Sequence, residues 1–223
     1  MFVGESHRQA WKSWRDFKEA VIVPGIADSY IDAETSKVPP PVAVVTTHPL
    51  HGLQNMLRLW QENIYPKNDK AELHIYSASL FNGAVNDRLK DIADEVAGAR
   101  AANVSVKSPD SDSEMAAAYR SARVHFYPVI GSEFYGSTLA ESQASGTPAV
   151  IYVGGGKTDV IKELISNGQT GYLVPDDDAF VNLALKLLAE DTTIYQSLSR
   201  DAKTLQAGRN WQSAAIEFEA LWK

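Results

Sequence analysis

The sequence predicts an α/β domain built on a doubly wound, Rossmann-like parallel sheet, and three observations carry that expectation. Short runs of β-branched and apolar residues recur along the 223-residue chain, and the stretches between them show the three- and four-residue spacing of buried helix faces. Those stretches are also too long to be hairpin loops. Strands joined by long helical crossovers run parallel, because only such a connection returns the chain to the same end of the sheet.

In chain order the predicted strands are "PVAVVTT" (41–47), "AELHIYS" (71–77), "NVSVK" (103–107), "RVHFYPV" (123–129), "PAVIYV" (148–153) and "GYLV" (171–174). Helical spacing lies between them at Leu53, Met56, Leu57 and Trp60, at Met115, Tyr119 and Ala122, and at Val160, Ile161, Leu164 and Ile165. The helix over 158–166 closes on "SNGQTG", where Asn167 or Gly168 can take the left-handed cap conformation. From Asp177 onward the chain reads as helical, and no fixed-period repeat is present.

Residues 39–210 are therefore expected to form one core domain and 211–223 a closing helix, with 1–38 as a separate N-terminal segment. In that segment "HRQAWKSWRDFKEAV" has the spacing to bury Ala10, Trp11, Trp14 and Phe17, while "VPPPV" (38–42) is a stiff connector that a helix cannot enter. The same aromatic face, beside Arg8, Lys12, Arg15 and Lys18, also suits a membrane surface, though core packing is the favoured reading.

Composition narrows the function classes. With 21 Lys and Arg against 28 Asp and Glu, the net charge is −7 and no basic cluster stands ready to grip a phosphate backbone, so nucleic acid is not an expected partner. The absence of cysteine removes disulfides, thiolate nucleophiles and Cys-ligated zinc together. No apolar run approaches the roughly 20 residues of a membrane-spanning helix. "MFVGESHRQAW" has no signal-peptide pattern, and a cytoplasmic location is expected.

Three motifs invite chemical readings. "GGGKT" (154–158) is not a P-loop, because that motif needs a glycine where Ile151 stands. Gly154, Gly155 and Gly156 instead permit a sharp strand-to-helix turn, or a backbone approach to an anionic ligand at the end of a parallel strand, and both readings stay open. "DSD" (110–112) resembles a metal-holding Asp-x-Asp, but Asp112 or Ser113 is placed to cap the following helix, with Glu114 in its first turn. "PDDD" (175–178) likewise starts a helix. The third motif holds Glu133 and Glu141 on either side of "FYGST". Thr138 and Glu141 have capping-box spacing; alternatively, the amides of Gly136, Ser137 and Thr138 open a helix whose N-terminal charge of about +0.5 favours phosphate. One carboxylate on each side would then receive hydroxyl groups of a sugar and a ribose.

The order of these pieces resembles the C-terminal, donor-binding half of retaining two-domain (GT-B) glycosyltransferases of the family 4 type. The resemblance rests on "FYPVIGSEFYGSTLAESQASGTPAVIYVGGGKTDVI" followed by "NGQTGYLVPDDD", where two glutamates, a glycine loop, a small-residue helix, a glycine cluster and an acid come in the family's order. It extends more weakly to "PPVAVVTTHPLHGLQNMLRLW", "AELHIYSAS" and "SDSEMAAAYRSARV". "VIVPGIADSYI" is similar to the segment that opens the C-terminal domain, "ESHRQAW" to the end of the N-terminal one, and "NWQSAAIEFEALWK" to the closing helix.

This resemblance implies a nucleotide-sugar donor and transfer of the sugar to a glycan or lipid-linked hydroxyl with the anomeric configuration kept. It implies no metal and no other cofactor. Glu133 would contact the donor sugar, Glu141 the ribose, and the amides of Gly136, Ser137 and Thr138 the diphosphate, with Tyr135 and Gly155 also in the binding set. On the first strand's loop the family places an arginine and, five residues later, a lysine or arginine before a glycine; the matching residues here are Thr46 and His51, ahead of Gly52. His51 is then the candidate for the diphosphate, although histidine is mostly neutral at cellular pH. Ser77 and Lys107, at strand ends near the expected nucleotide pocket, complete the set. The implied partner is an acceptor-binding N-terminal domain or a partner subunit, with peripheral membrane contact in the intact protein, and the chain alone is expected to be inactive. Loss of both fixed cations favours an alternative, a non-catalytic scaffold or partner subunit. A sugar-nucleotide epimerase shares the architecture but fits the two-glutamate spacing less well.

Overall fold

The computed structural model describes residues 1–11, 18–32, 37–84, 86–109, 111–129, 135–153 and 159–222. Strands β1 (Val42–Val45), β2 (Glu72–Tyr76), β3 (Val104–Lys107), β4 (Val124–Pro128), β5 (Ala149–Tyr152) and β6 (Gly171–Val174) form one parallel sheet in the order β3-β2-β1-β4-β5-β6. Ala43 pairs with Leu73 on one side and Val124 on the other. Helices α1 (Glu5–Ala10) and α2 (Asp28–Ile31) precede the sheet. The crossovers contain α3 (Leu53–Leu59), α4 (Ala78–Phe81), α5 (Lys90–Gly98), α6 (Asp112–Arg120), α7 (Ser137–Ala144) and α8 (Asp159–Leu164), and α9 (Asp177–Leu188), α10 (Thr193–Gln206) and α11 (Trp211–Ala220) follow β6. Among the described residues no helix is long and apolar enough to cross a membrane.

The central strands β1, β4 and β5 are covered on both faces and read as near-continuous buried runs, whereas β2, nearer the edge, alternates exposed or half-buried residues with buried ones. Ala43 and Val45 of β1 join one cluster with Leu53, Met56, Trp60, Ile92, Phe126 and Phe180. Val42 and Val44 join the other with Tyr30, Tyr119, Leu139, Ala140 and Ile161. The chain continues from α3 through a π-helical turn, Trp60–Ile64, which seats Trp60 in the core with its indole N–H donating to the Ala102 carbonyl at 2.7 Å.

The strand order matters for function. The crossover leaving β1 leads outward to β2, and the one leaving β4 leads the opposite way to β5, so the two connections part above the C-terminal ends of β1 and β4. That divergence opens a crevice, the place where ligands of doubly wound sheets bind.

Several expectations are corrected. Ala10 and Trp11 are exposed, the latter by 61%, because α1 ends at Ala10 and does not turn a face to the core; Trp14 and Phe17 lie outside the described residues. Several described residues before 38 contact the sheet-bearing body. Ile26 and Tyr30 are buried in the second cluster, the Ile26 amide donates to the Arg209 carbonyl at 2.7 Å, and the Glu5 amide donates to Glu163 at 2.9 Å. The cap of α6 is neither Asp112 nor Ser113 but Ser111, whose hydroxyl accepts from the Glu114 amide at 3.2 Å. Asp176 caps α9 as "PDDD" predicts, accepting from the Ala179 amide at 2.8 Å, and Gly168 has φ +82° after α8.

Candidate functional site

One wall of the crevice is the loop from β1 to α3. Thr46 and Thr47 follow β1 directly, and the loop tightens through a bond from the His51 amide to the His48 carbonyl at 2.7 Å. The His48 and His51 rings lie 5.5 Å apart and are both exposed. Gly52 sits at φ +91° immediately before α3, a left-handed conformation that a side chain would strain, so this turn needs its glycine. Thr47 buries a hydroxyl that has no partner among the described residues. Buried polar groups are ordinarily bonded, which makes this one available at the end of β1.

The other wall runs from β4 into α7. Gly136 is the N-cap, and no side chain of a described residue caps this helix. The capping-box pairing of Thr138 with Glu141 does not form, because the helix already begins at Ser137 and places both residues beyond the cap positions that pairing requires. The amides of Ser137 and Thr138 therefore have no acceptor among the described residues, while the Leu139 amide turns back to the Gly136 carbonyl at 3.1 Å. A Cβ on Gly136 would meet Leu164 Cδ1 at 3.2 Å and the Tyr127 hydroxyl at 3.3 Å, so the chain passes close to β4 and α8 there.

Glu141 lies one turn into α7, partly buried, and its carboxylate accepts no hydrogen bond from a described residue. Burial, with the charge of Asp112 adding to it, pushes its pKa up to about 7. The surrounding groups are phenols. Tyr30 donates to Asp112 Oδ1 at 3.2 Å, and the charges of Glu141 and Asp112 add to the burial that drives the Tyr30 pKa upward. Tyr135, whose pKa burial also raises, feels the same carboxylate, but its hydroxyl is turned to the Pro24 carbonyl at 3.3 Å and receives Arg209 at 3.5 Å.

Between the two walls runs a buried chain of hydrogen bonds that sequence reasoning missed. His125 of β4 is wholly buried, with Nε2 2.9 Å from Thr46 Oγ1 and Nδ1 2.9 Å from Ser142 Oγ. Ser142 donates its own proton to the Leu139 carbonyl at 3.0 Å, so it can only accept from His125, which must carry its proton on Nδ1. Nε2 is then an acceptor, and Thr46 donates to it. Tyr119 in turn donates to Thr46 at 3.4 Å. Burial pushes the His125 pKa down to about 3, so the neutral ring is the stable one. A signal for it does exist in the sequence: a histidine inside the fully buried strand "VHFYP" needs partners.

The remaining predicted residues divide into two groups. Ser77 and Lys107 stand at the ends of β2 and β3, on the β1 side, joined by a bond from the Ser77 amide to the Lys107 carbonyl at 3.1 Å. The Ser77 hydroxyl caps α4, so at least one of its bonds is already structural. Glu133 and Gly155 lie outside the described residues. Among the described residues no cluster of three or more His, Cys, Asp or Glu is arranged to hold a metal.

A family model described as "Glycosyl transferases group 1" matches residues 42–190. The chain belongs to this family. Among curated relatives, this group 1 domain is similar to the phosphatidyl-myo-inositol mannosyltransferases of Mycobacterium leprae (strain TN), at 34% identity over 114 residues, and of Mycolicibacterium smegmatis, at 34% over 93 residues. Those alignments span 50% and 42% of this chain and 29% and 22% of the relatives, so the match covers less than a third of either enzyme. Solved structures with the same fold include Staphylococcus aureus TarM (TM-score 0.77, 13% identity, all of this chain on 43% of TarM). They also include the sucrose-phosphate synthase of Thermosynechococcus elongatus (TM-score 0.70, 19% identity, 98% of this chain on 55% of that one). The group 1 domain thus has the doubly wound sheet of one half of a GT-B glycosyltransferase, the C-terminal half.

Proposed function

We propose that this domain binds the nucleotide-sugar donor of a retaining glycosyltransferase, whose acceptor-binding half lies in another domain or subunit. The observation that carries the reading is the β4–α7 wall. An uncapped helix N-terminus faces the switch-point crevice, and a carboxylate without a hydrogen-bond partner among the described residues stands one turn behind it. The open amides suit a diphosphate, and the carboxylate suits two vicinal hydroxyls, which together describe a nucleoside diphosphate. Neighbours of the same fold support this, since TarM was solved with UDP and Anabaena HepE with UDP-glucose. Glu133 would face the sugar and His51 the diphosphate. The acceptor would supply a hydroxyl, as a glycan or lipid-linked alcohol does.

A second reading is favoured by Thr46. Its hydroxyl proton is committed to His125, at the position where the resemblance leads one to expect an arginine, so this wall offers the leaving diphosphate no fixed charge. A domain that holds a nucleotide sugar without turning it over, as a partner of another transferase, would look like this. Thermal stability against UDP, GDP, ADP and their sugar conjugates tests the donor reading. A ligand at a hundred times its dissociation constant raises stability by about 2.7 kcal/mol, and a selective shift that is lost in Glu141→Ala is the expected result. Equal response to all three diphosphates, unaffected by Glu141→Ala, would contradict it.

A further inference from the structure

We propose that His125 is a positioning residue: as the Nδ1–H tautomer it fastens Thr46, on the β1 wall of the crevice, to Ser142 of α7, on the β4 wall, and thereby fixes the spacing between the two. This role rests on the reading of the crevice as the donor site.

Proton counting sets the direction of every bond in the series Tyr119–Thr46–His125–Ser142–Leu139. Tyr119 donates to Thr46, Thr46 to Nε2, Nδ1 to Ser142, and Ser142 to the Leu139 carbonyl. The terminal carbonyl admits one direction only, so the chain has a single satisfied arrangement. The ring around which it turns is fully buried, packed between Tyr119 and Tyr127 with ring centroids 5.5 and 5.4 Å away, and cannot swing to another partner.

Each end of the chain is attached to something the ligand would touch. Thr46 opens the loop that carries His51, and Ser142 is next to Glu141 on the helix whose first amides face the crevice. Shortening or breaking the link leaves a buried imidazole or hydroxyl unsatisfied, and the walls must then move to restore a bond. Thr46 therefore acts on the diphosphate through geometry. Its proton is not available for a phosphate oxygen, which separates a positioning role from direct contact.

Calorimetric titration with UDP and GDP of the unmodified chain, Thr46→Val, Thr46→Ser, His125→Phe and the Thr46→Val/His125→Phe double variant tests this. Thr46→Val keeps the shape and removes the bond; Thr46→Ser keeps the hydroxyl. The expected result is a roughly three- to tenfold weaker affinity in Thr46→Val and in His125→Phe, the size of one net hydrogen bond. Thr46→Ser should bind within about twofold of the unmodified chain, and the double variant should be no weaker than the worse single one. Long-range ¹⁵N NMR should find the His125 proton on Nδ1 in the free protein. Additive losses in the double variant mean that Thr46 touches the ligand itself, and that overturns the proposal. Affinity unchanged in all variants, with only their melting temperatures lowered, makes the chain a core fixture and also overturns it. An unmodified chain that binds neither nucleotide overturns the donor-site reading, and this role with it.

Discussion

The β1 wall and the β4 wall of the crevice are built from the same materials, a strand end, a loop with a glycine and a helix start, yet they leave Thr46 and Glu141 in opposite states. On the β1 side, Thr46 has given its proton to His125 and received one from Tyr119, so it faces any ligand already saturated. On the β4 side, α7 starts at Ser137 with no side-chain cap, and Glu141 is desolvated without a hydrogen bond from a described residue. The difference lies in where the shared chain of hydrogen bonds meets each wall. The chain through His125 ties the two walls together, at Thr46 on one and at Ser142 on the other, and the β4 wall is further held by apolar packing of Leu139 and Ala140. The chain occupies Thr46, the first loop residue of the β1 wall, but reaches α7 only at Ser142, behind the helix start, so it uses a hydroxyl at the mouth of one wall and leaves Glu141 of the other unbonded to any described residue.

The comparison breaks first at His125. His125→Ala removes a buried ring and orphans Thr46 and Ser142 together, with an expected loss of roughly 3–5 kcal/mol in urea unfolding. A loss below about 1 kcal/mol would mean that the β1 wall does not depend on the chain.

The β4 wall is probed by pH. The folded pKa of Glu141, about 7, lies above its ordinary 4.5, so the folded state holds a proton that the unfolded state has released. Its contribution to stability is fully present below about pH 4.5 and is lost as pH rises through about 7. Glu141→Gln should flatten this dependence and leave the variant about 1–3 kcal/mol more stable at pH 8 than the unmodified chain. Thermal unfolding at pH 5 and pH 8 measures it. A variant less stable at both pH values would show that the carboxylate is bonded in the native state.

The smallest effect compares two helix starts. Ser111→Ala removes the cap of α6 and should cost about 1 kcal/mol, while Thr138→Ala, which caps nothing, should change stability by less than about 0.5 kcal/mol. Equal losses in chemical denaturation would restore the capping-box reading of α7.

The fold is legible in the sequence because its central strands are buried on both faces. Runs such as "PVAVVTT" need no alternation to be recognised when every residue meets a helix. Helix starts are less legible. Spacing points to Asp112 or Ser113 where Ser111 caps, and to Thr138 where Gly136 does, because a shift of one or two residues leaves the apolar periodicity intact. The N-terminal segment reads as separate, since nothing in "VIVPGIADSYI" says that Ile26 and Tyr30 will fit against α6 and α7. In the candidate site, Glu141 and the α7 amides can be named from sequence, and the His125 chain cannot. The oddity of a histidine in an apolar strand is local, but its partners lie 79 and 17 residues away and become neighbours only in the folded sheet.

The central claim, that Glu141 receives hydroxyls of a nucleoside diphosphate, is tested most directly by calorimetry of the best-binding nucleotide with the unmodified chain and Glu141→Gln from pH 5.5 to 8. The ratio of the two affinities cancels every other titrating group. Bound hydroxyls favour the ionised carboxylate, so the ratio should rise in favour of the unmodified chain up to about pH 7 and level off above it. A ratio that stays near one across the whole range would place the nucleotide elsewhere.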